Sequence, residues 1–90
     1  MIKVRIPAQL RTLTGGSGEV SVEGSTVGEA LKALDAAHAG FADRIFDEAG
    51  GLRRFVNVFL DDEDVRFLDW LATPIAAGQT LSIVPAVAGG

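Results

Sequence analysis

The spacing of apolar residues changes twice along this chain, from the alternation of a strand to the stripe of a helix and back. That change restricts the possible folds more than any other feature. Ile2, Val4 and Ile6 alternate with Lys3 and Arg5, the period-two signature of a half-buried strand. Pro7 ends that strand or marks its edge, because proline cannot donate to a ladder. T-G-G-S-G, from Thr14 to Gly18, is a strong turn signal, and Val20 and Val22 then alternate with Glu19, Ser21 and Glu23. The two strands read as an antiparallel hairpin with a long, glycine-rich connection. The period changes at Gly24-Ser25-Thr26. Thr26 followed by Glu29 fits a capping box, in which a hydroxyl and a carboxylate satisfy the open N–H groups of a first helical turn. Val27, Ala30, Leu31 and Leu34 recur at helical spacing, with Lys32 and Asp35 outside the stripe. Gly40 is read as the helix stop. Phe41, Ile45 and Phe46 suggest a further helical turn or a packed loop before the loop tip Ala49-Gly50-Gly51.

The second half returns to strands. F-V-N-V-F-L, from Phe55 to Leu60, is a β-branched and aromatic run. Asp61-Asp62 reads as a tight polar turn, and Val65-Arg66-Phe67 as the start of a short returning strand. A turn at Ala77-Gly78 precedes a last strand from Thr80 to Val84, which Pro85 is expected to break. The helix after the hairpin must cover one face of the sheet, since its apolar stripe has nowhere else to go. Its connection to the next strand is long enough for a crossover. Ninety residues suit one domain. The expected fold class is α+β, a β-grasp (ubiquitin-like) arrangement with a mixed sheet of four to five strands on one main helix. Residues 1–85 form the domain and 86–90 a flexible C-terminal tail.

Composition removes several kinds of function. Twelve acidic residues against eight lysines and arginines give a net charge of −4, which argues against a nucleic-acid partner. The start M-I-K-V-R-I-P alternates instead of running apolar, so neither a signal peptide nor a membrane anchor is expected, and the cytoplasm is the expected location. No cysteine is present, which excludes a thiol nucleophile and a thiolate metal site. The single histidine, His38, has no acid–base partner nearby in sequence and reads as a helix-end residue. Asp61-Asp62-Glu63-Asp64 lacks the alternating ligands and later glutamate of a calcium loop, so no metal is expected. The glycines from Gly15 to Gly18 lack the Gly-Lys-Ser/Thr ending of a phosphate loop. Trp70, the only tryptophan, reads as a packing residue. No active site assembles from these parts.

The remaining candidate is V-P-A-V-A-G-G, from Val84 to Gly90. Without Cβ, Gly89 and Gly90 can pass through a narrow channel in backbone conformations closed to other residues. A nucleophile can also reach the Gly90 carboxyl carbon unhindered. Ordering five such residues costs about 5–10 kcal/mol of backbone entropy, so a partner must grip Val87, Ala88 and Gly89 and dock the body as well. The body offers one face for this. If Val56, Val58 and Leu60 point inward, Phe55, Asn57 and Phe59 point outward as a partner-binding patch. A loop covering them, or the opposite assignment of faces, stays open.

R-F-V-N-V-F-L-D-D-E-D-V-R-F (Arg54 to Phe67), L-A-T-P-I (Leu71 to Ile75) and the terminal V-P-A-V-A-G-G resemble the ubiquitin-like sulfur carriers of the ThiS/MoaD family. The likeness is densest to the carriers that serve cysteine biosynthesis in actinobacteria. It implies that an E1-like adenylating and sulfurating enzyme activates the Gly90 carboxylate with ATP and converts it to a thiocarboxylate. It further implies a PLP-dependent cysteine synthase as acceptor and a zinc-dependent peptidase that releases cysteine, with no cofactor bound to the carrier itself. Sulfur would then ride on the Gly90 carboxyl carbon, which needs no cysteine in the chain. The same chemistry could serve, or be shared with, a thiosugar or other secondary-metabolite pathway or molybdopterin. A ubiquitin-like protein modifier joined through Gly90 to a lysine amine is the other alternative.

Overall fold

The computed structural model describes residues 1–54 and 56–85. Strand β1 is Ile2–Arg5 and β2 is Glu19–Val22, paired antiparallel with Ile2 opposite Val22 and Arg5 opposite Glu19. Their connection carries a 3-10 helix, Ala8–Thr14, which buries Leu10. Helix α1 is Val27–Ala37, α2 is Phe41–Ile45, β3 is Val56–Leu60, β4 is Glu63–Asp64 and β5 is Thr80–Pro85. The sheet order is β2-β1-β5-β3-β4. β5 lies at the centre, parallel to β1 and antiparallel to β3. This is the mixed five-stranded sheet and single main helix of a β-grasp.

The burial pattern follows the periods in the sequence. Ile2 and Val4 of β1, Val56, Val58 and Leu60 of β3, and Leu81 and Ile83 of β5 all point to one side. There they meet Val27, Ala30, Leu31 and Leu34 of α1. Each fully buried branched side chain contributes about 1.5–3 kcal/mol of transfer free energy, which is the main support a chain of this size has. The start of α1 is fixed as the capping box requires. Thr26 Oγ1 accepts from the Glu29 N–H at 3.2 Å, and Glu29 Oε1 accepts from the Ser25 N–H at 2.9 Å and the Ser25 hydroxyl at 2.7 Å. The carboxylate thus reaches one residue further back than the usual N-cap N–H.

Four local expectations are corrected. Val65-Arg66-Phe67 is a 3-10 helix, not a strand; the returning strand is the two residues before it. Asp64 Oδ1 accepts from the Arg66 N–H at 2.9 Å and turns the chain there. Val65 is consequently buried while Phe67 faces solvent, where a strand would have kept both on one side. Pro85 does not break β5 but is its last residue, opposite Val56; the missing N–H is tolerated at a strand end. α1 stops at Ala37 with His38 as its cap, before Gly40. Gly40, at φ 111, instead opens α2, where Asp35 Oδ1 accepts from the N–H groups of Gly40 (3.2 Å) and Ala42 (2.8 Å). Trp70, read as a packing residue, is about half exposed.

Candidate functional site

The central strand carries the chain to its C-terminal segment, so the surroundings of its last residues define the candidate site. Leu81 and Ile83 anchor β5 in the core, and the alternation turns Ser82 and Val84 to the face away from α1. The register places Asn57 opposite Val84 and Phe59 opposite Ser82. The structure therefore puts Asn57 and Phe59 on that outward face, both half-buried. Phe55, Val87, Ala88, Gly89 and Gly90 lie outside the described residues.

The outward face near Val84 is not bare. Arg66 extends its guanidinium over the start of β3 and donates to Asn57 Oδ1, to the Val56 carbonyl at 2.8 Å and to the Arg53 carbonyl at 3.0 Å. The planar fork of an arginine suits this, because it can address several acceptors at once. The Val56 carbonyl belongs to the end of β3 that lies against Pro85, and Arg53 to the segment leading into it. Arg66 therefore ties down the strand end that lies beside Pro85. Its Cζ lies 5.6 Å from the centroid of the Trp70 ring, within cation–π range.

Trp70 is held by the loop that follows Arg66. The Asp69 N–H donates to Thr73 Oγ1 at 2.9 Å, and the Thr73 carbonyl accepts from the Val27 N–H at 3.0 Å, which joins this loop to the first turn of α1. Leu71 seats against Gly28, where an added Cβ would stand 3.1 Å from the Leu71 carbonyl oxygen. Arg66, Phe67, Trp70 and Val84 were not singled out as site residues from sequence. The available signal was the aromatic pair in V-R-F-L-D-W, whose exposure depends on the turn made by Asp64.

The other sequence candidates have structural settings. Asp61, at φ 54, accepts from the Thr80 N–H at 3.0 Å and from Gln79 Nε2 at 3.1 Å, while its own N–H donates to the Thr80 carbonyl. It clasps the end of β3 to the start of β5. Among the described residues no group of three or more His, Asp or Glu side chains is arranged to hold a metal. No described helix is long and apolar enough to cross a membrane. Lys3 and Glu19 form an exposed ion pair at 3.6 Å, of little energetic weight.

Comparison with known proteins adds what the described residues do not carry. The model of the ThiS family matches residues 4–90. The chain is 47% identical to the sulfur carrier protein CysO of Mycobacterium tuberculosis, over 99% of this chain and 98% of that protein. It superposes with a TM-score of 0.94 on a chain of the Amycolatopsis orientalis BexX/CysO complex, 46% identical with full coverage of both chains. Small archaeal modifier protein 1 of Haloferax volcanii is a more distant relative, 34% identical with a TM-score of 0.77, over 96% of this chain and 97% of that one.

Proposed function

This chain belongs to the ThiS family, and from that membership we propose that it is a sulfur carrier whose reactive group is the carboxyl of Gly90. One observation carries the reading: its full-length similarity to the sulfur carrier protein CysO, in a chain whose sequence runs from the central strand into A-V-A-G-G.

The chemistry proceeds by acyl activation. A Gly90 carboxylate oxygen attacks the α-phosphorus of ATP in an E1-like partner, and pyrophosphate leaves. Sulfide then attacks the acyl carbon and AMP departs, leaving a thiocarboxylate. A persulfide donor would instead leave an acyl disulfide, from which a second thiol frees the thiocarboxylate as the donor departs in a disulfide with that thiol. The thiocarboxylate is a soft, anionic nucleophile that a sulfur-accepting enzyme consumes. The acceptor that fits the CysO likeness is a PLP-dependent cysteine synthase, with a zinc-dependent peptidase cleaving the cysteine from Gly90 afterwards. The carrier contributes the body that partners recognise and a terminus narrow enough to enter their active sites. It is a co-substrate in each step, not a catalyst.

Service to another acceptor pathway is kept as an alternative, since the CysO relative from Amycolatopsis orientalis is found in a complex with a further protein, BexX. One terminus serving more than one acceptor is consistent with a carrier. The similarity to an archaeal modifier protein keeps protein conjugation through Gly90 as the alternative of a different class.

Extending the chain by one alanine after Gly90 tests the assignment of the reactive group. The extended protein should fold as the original does and take up no sulfur from ATP, sulfide and an activating enzyme that loads the unextended chain. Equal loading of the extended chain would contradict the assignment.

A further inference from the structure

Neither the core nor the sulfur chemistry explains Trp70. Its φ of 54 lies in the left-handed region, where a bulky side chain is a genuine outlier. It is nonetheless 48% exposed, and Phe67 is 87% exposed, so the conformation does not serve to bury an aromatic ring. Conformations of this kind persist where neighbouring structure over-determines them, and they gather at ligand-contacting segments. The determinants are present here: the Asp69–Thr73 hydrogen bond, the Thr73 link to α1, and the seat of Leu71 on Gly28.

The position of the ring is the second observation. Arg66 bonds the Val56 carbonyl, Val56 lies opposite Pro85, and Trp70 packs on the Arg66 guanidinium. Trp70 therefore stands at the end of the sheet from which residues 86–90 continue. Five residues span at most about 16–18 Å when fully extended. An enzyme that holds Gly90 in its active site must accordingly lie within that distance of Pro85. An interface of ordinary size, about 800 Å² a side, that spreads from Pro85 over β3 takes in the Arg66 end of the sheet.

We propose that Trp70, with the exposed Phe67 that follows Arg66 in sequence, is the docking anchor for the enzyme that activates the Gly90 carboxylate, and that it enters an apolar pocket of that enzyme. This rests on the sulfur-carrier reading above. Rigid tryptophans near the centre of an interface supply a disproportionate share of its binding energy, and a ring already held in place loses little freedom on docking. Arg66 is a positioning residue, which holds the ring against the strand beside the departing chain.

The test uses an E1-like activating enzyme that loads the wild-type chain with ATP and sulfide. Trp70→Gly accepts the left-handed backbone, and Phe67→Ser alters a side chain that supports no packing. Each should raise the KM for the carrier, by about tenfold for Trp70→Gly as for a central aromatic hot spot, with kcat nearly unchanged. In the wild-type chain made with 5-fluorotryptophan, the single 19F resonance should shift when enzyme is added without ATP. Unchanged KM for both variants, together with a resonance that stays at its free position in saturating enzyme, would overturn the docking surface while leaving the carrier reading intact. Failure of any activating enzyme to load the wild-type chain would instead overturn the carrier reading, and the docking proposal with it.

Discussion

Two residues illustrate how a side chain's partners decide its role here. Arg66 carries a formal charge yet acts as a strut, because its donors are taken by Asn57 and by carbonyls at the start of β3. Glu29 is exposed yet structural. The Ser25 hydroxyl, and then the Ser25 backbone N–H, hold its carboxyl below the usual carboxylate range. A carboxylate whose pKa is lowered in the folded state contributes stability above its unfolded pKa, and that contribution is lost as pH falls through the folded value. Wild type should therefore be more stable than Glu29→Gln at neutral pH. The gap should narrow as pH drops through and below the ordinary carboxylate range. Urea unfolding of both proteins across that range measures it; a gap independent of pH would show that the carboxylate's charge plays no part in the cap. The Thr26 and Glu29 pair was legible in sequence because a capping box is a local pattern. The setting of Arg66 was not, because its partners Asn57, Arg53 and Val56 lie earlier in the chain and only the fold brings them to it.

At the scale of elements, the period of the apolar residues located the hairpin, α1, β3 and β5, since each buries one face; for β3, apolar on both faces, only the structure decides that Val56, Val58 and Leu60 point inward. It misassigned the segment after β3, where one aspartate capping a backbone N–H outweighs the strand preference of Val65 and Phe67. The junction between β2 and α1 is tighter than its glycine alone suggests. A Cβ on Gly24 would stand 2.7 Å from the Ala30 nitrogen and 3.0 Å from the Ala30 Cα. Those are backbone atoms inside a helix and cannot give way as a flexible side chain would. Gly24→Ala should destabilise the fold by about 1–3 kcal/mol, the usual cost of overpacking, visible as a lower denaturant midpoint at unchanged slope. An unchanged midpoint would mean that the helix can shift away from β2 without loss.

At the scale of the whole molecule, the chain is a small sheet and helix built around the strand that leads to its C-terminal glycines. Putting β5 at the centre of the sheet, between β1 and β3, gives the departing segment a rigid base. The β-grasp architecture was readable from element order, because a hairpin, a capped helix and two further strands leave few ways to cover one face of a sheet. The proposed reactive end came from the terminal Gly-Gly and the family resemblance, and sulfur carried on the Gly90 carboxyl needs no cysteine in the chain. The docking surface was hidden, since exposure of Trp70 follows from a backbone conformation that no local pattern announces. The central claim, that Gly90 accepts sulfur, is tested most directly by intact-mass measurement of the purified chain after incubation with ATP, sulfide and an activating enzyme. The account predicts a gain equal to replacing one oxygen by sulfur, placed on Gly90 by fragmentation. A mass that stays unchanged with every cognate activating enzyme, or a gain placed on any other residue, would contradict it.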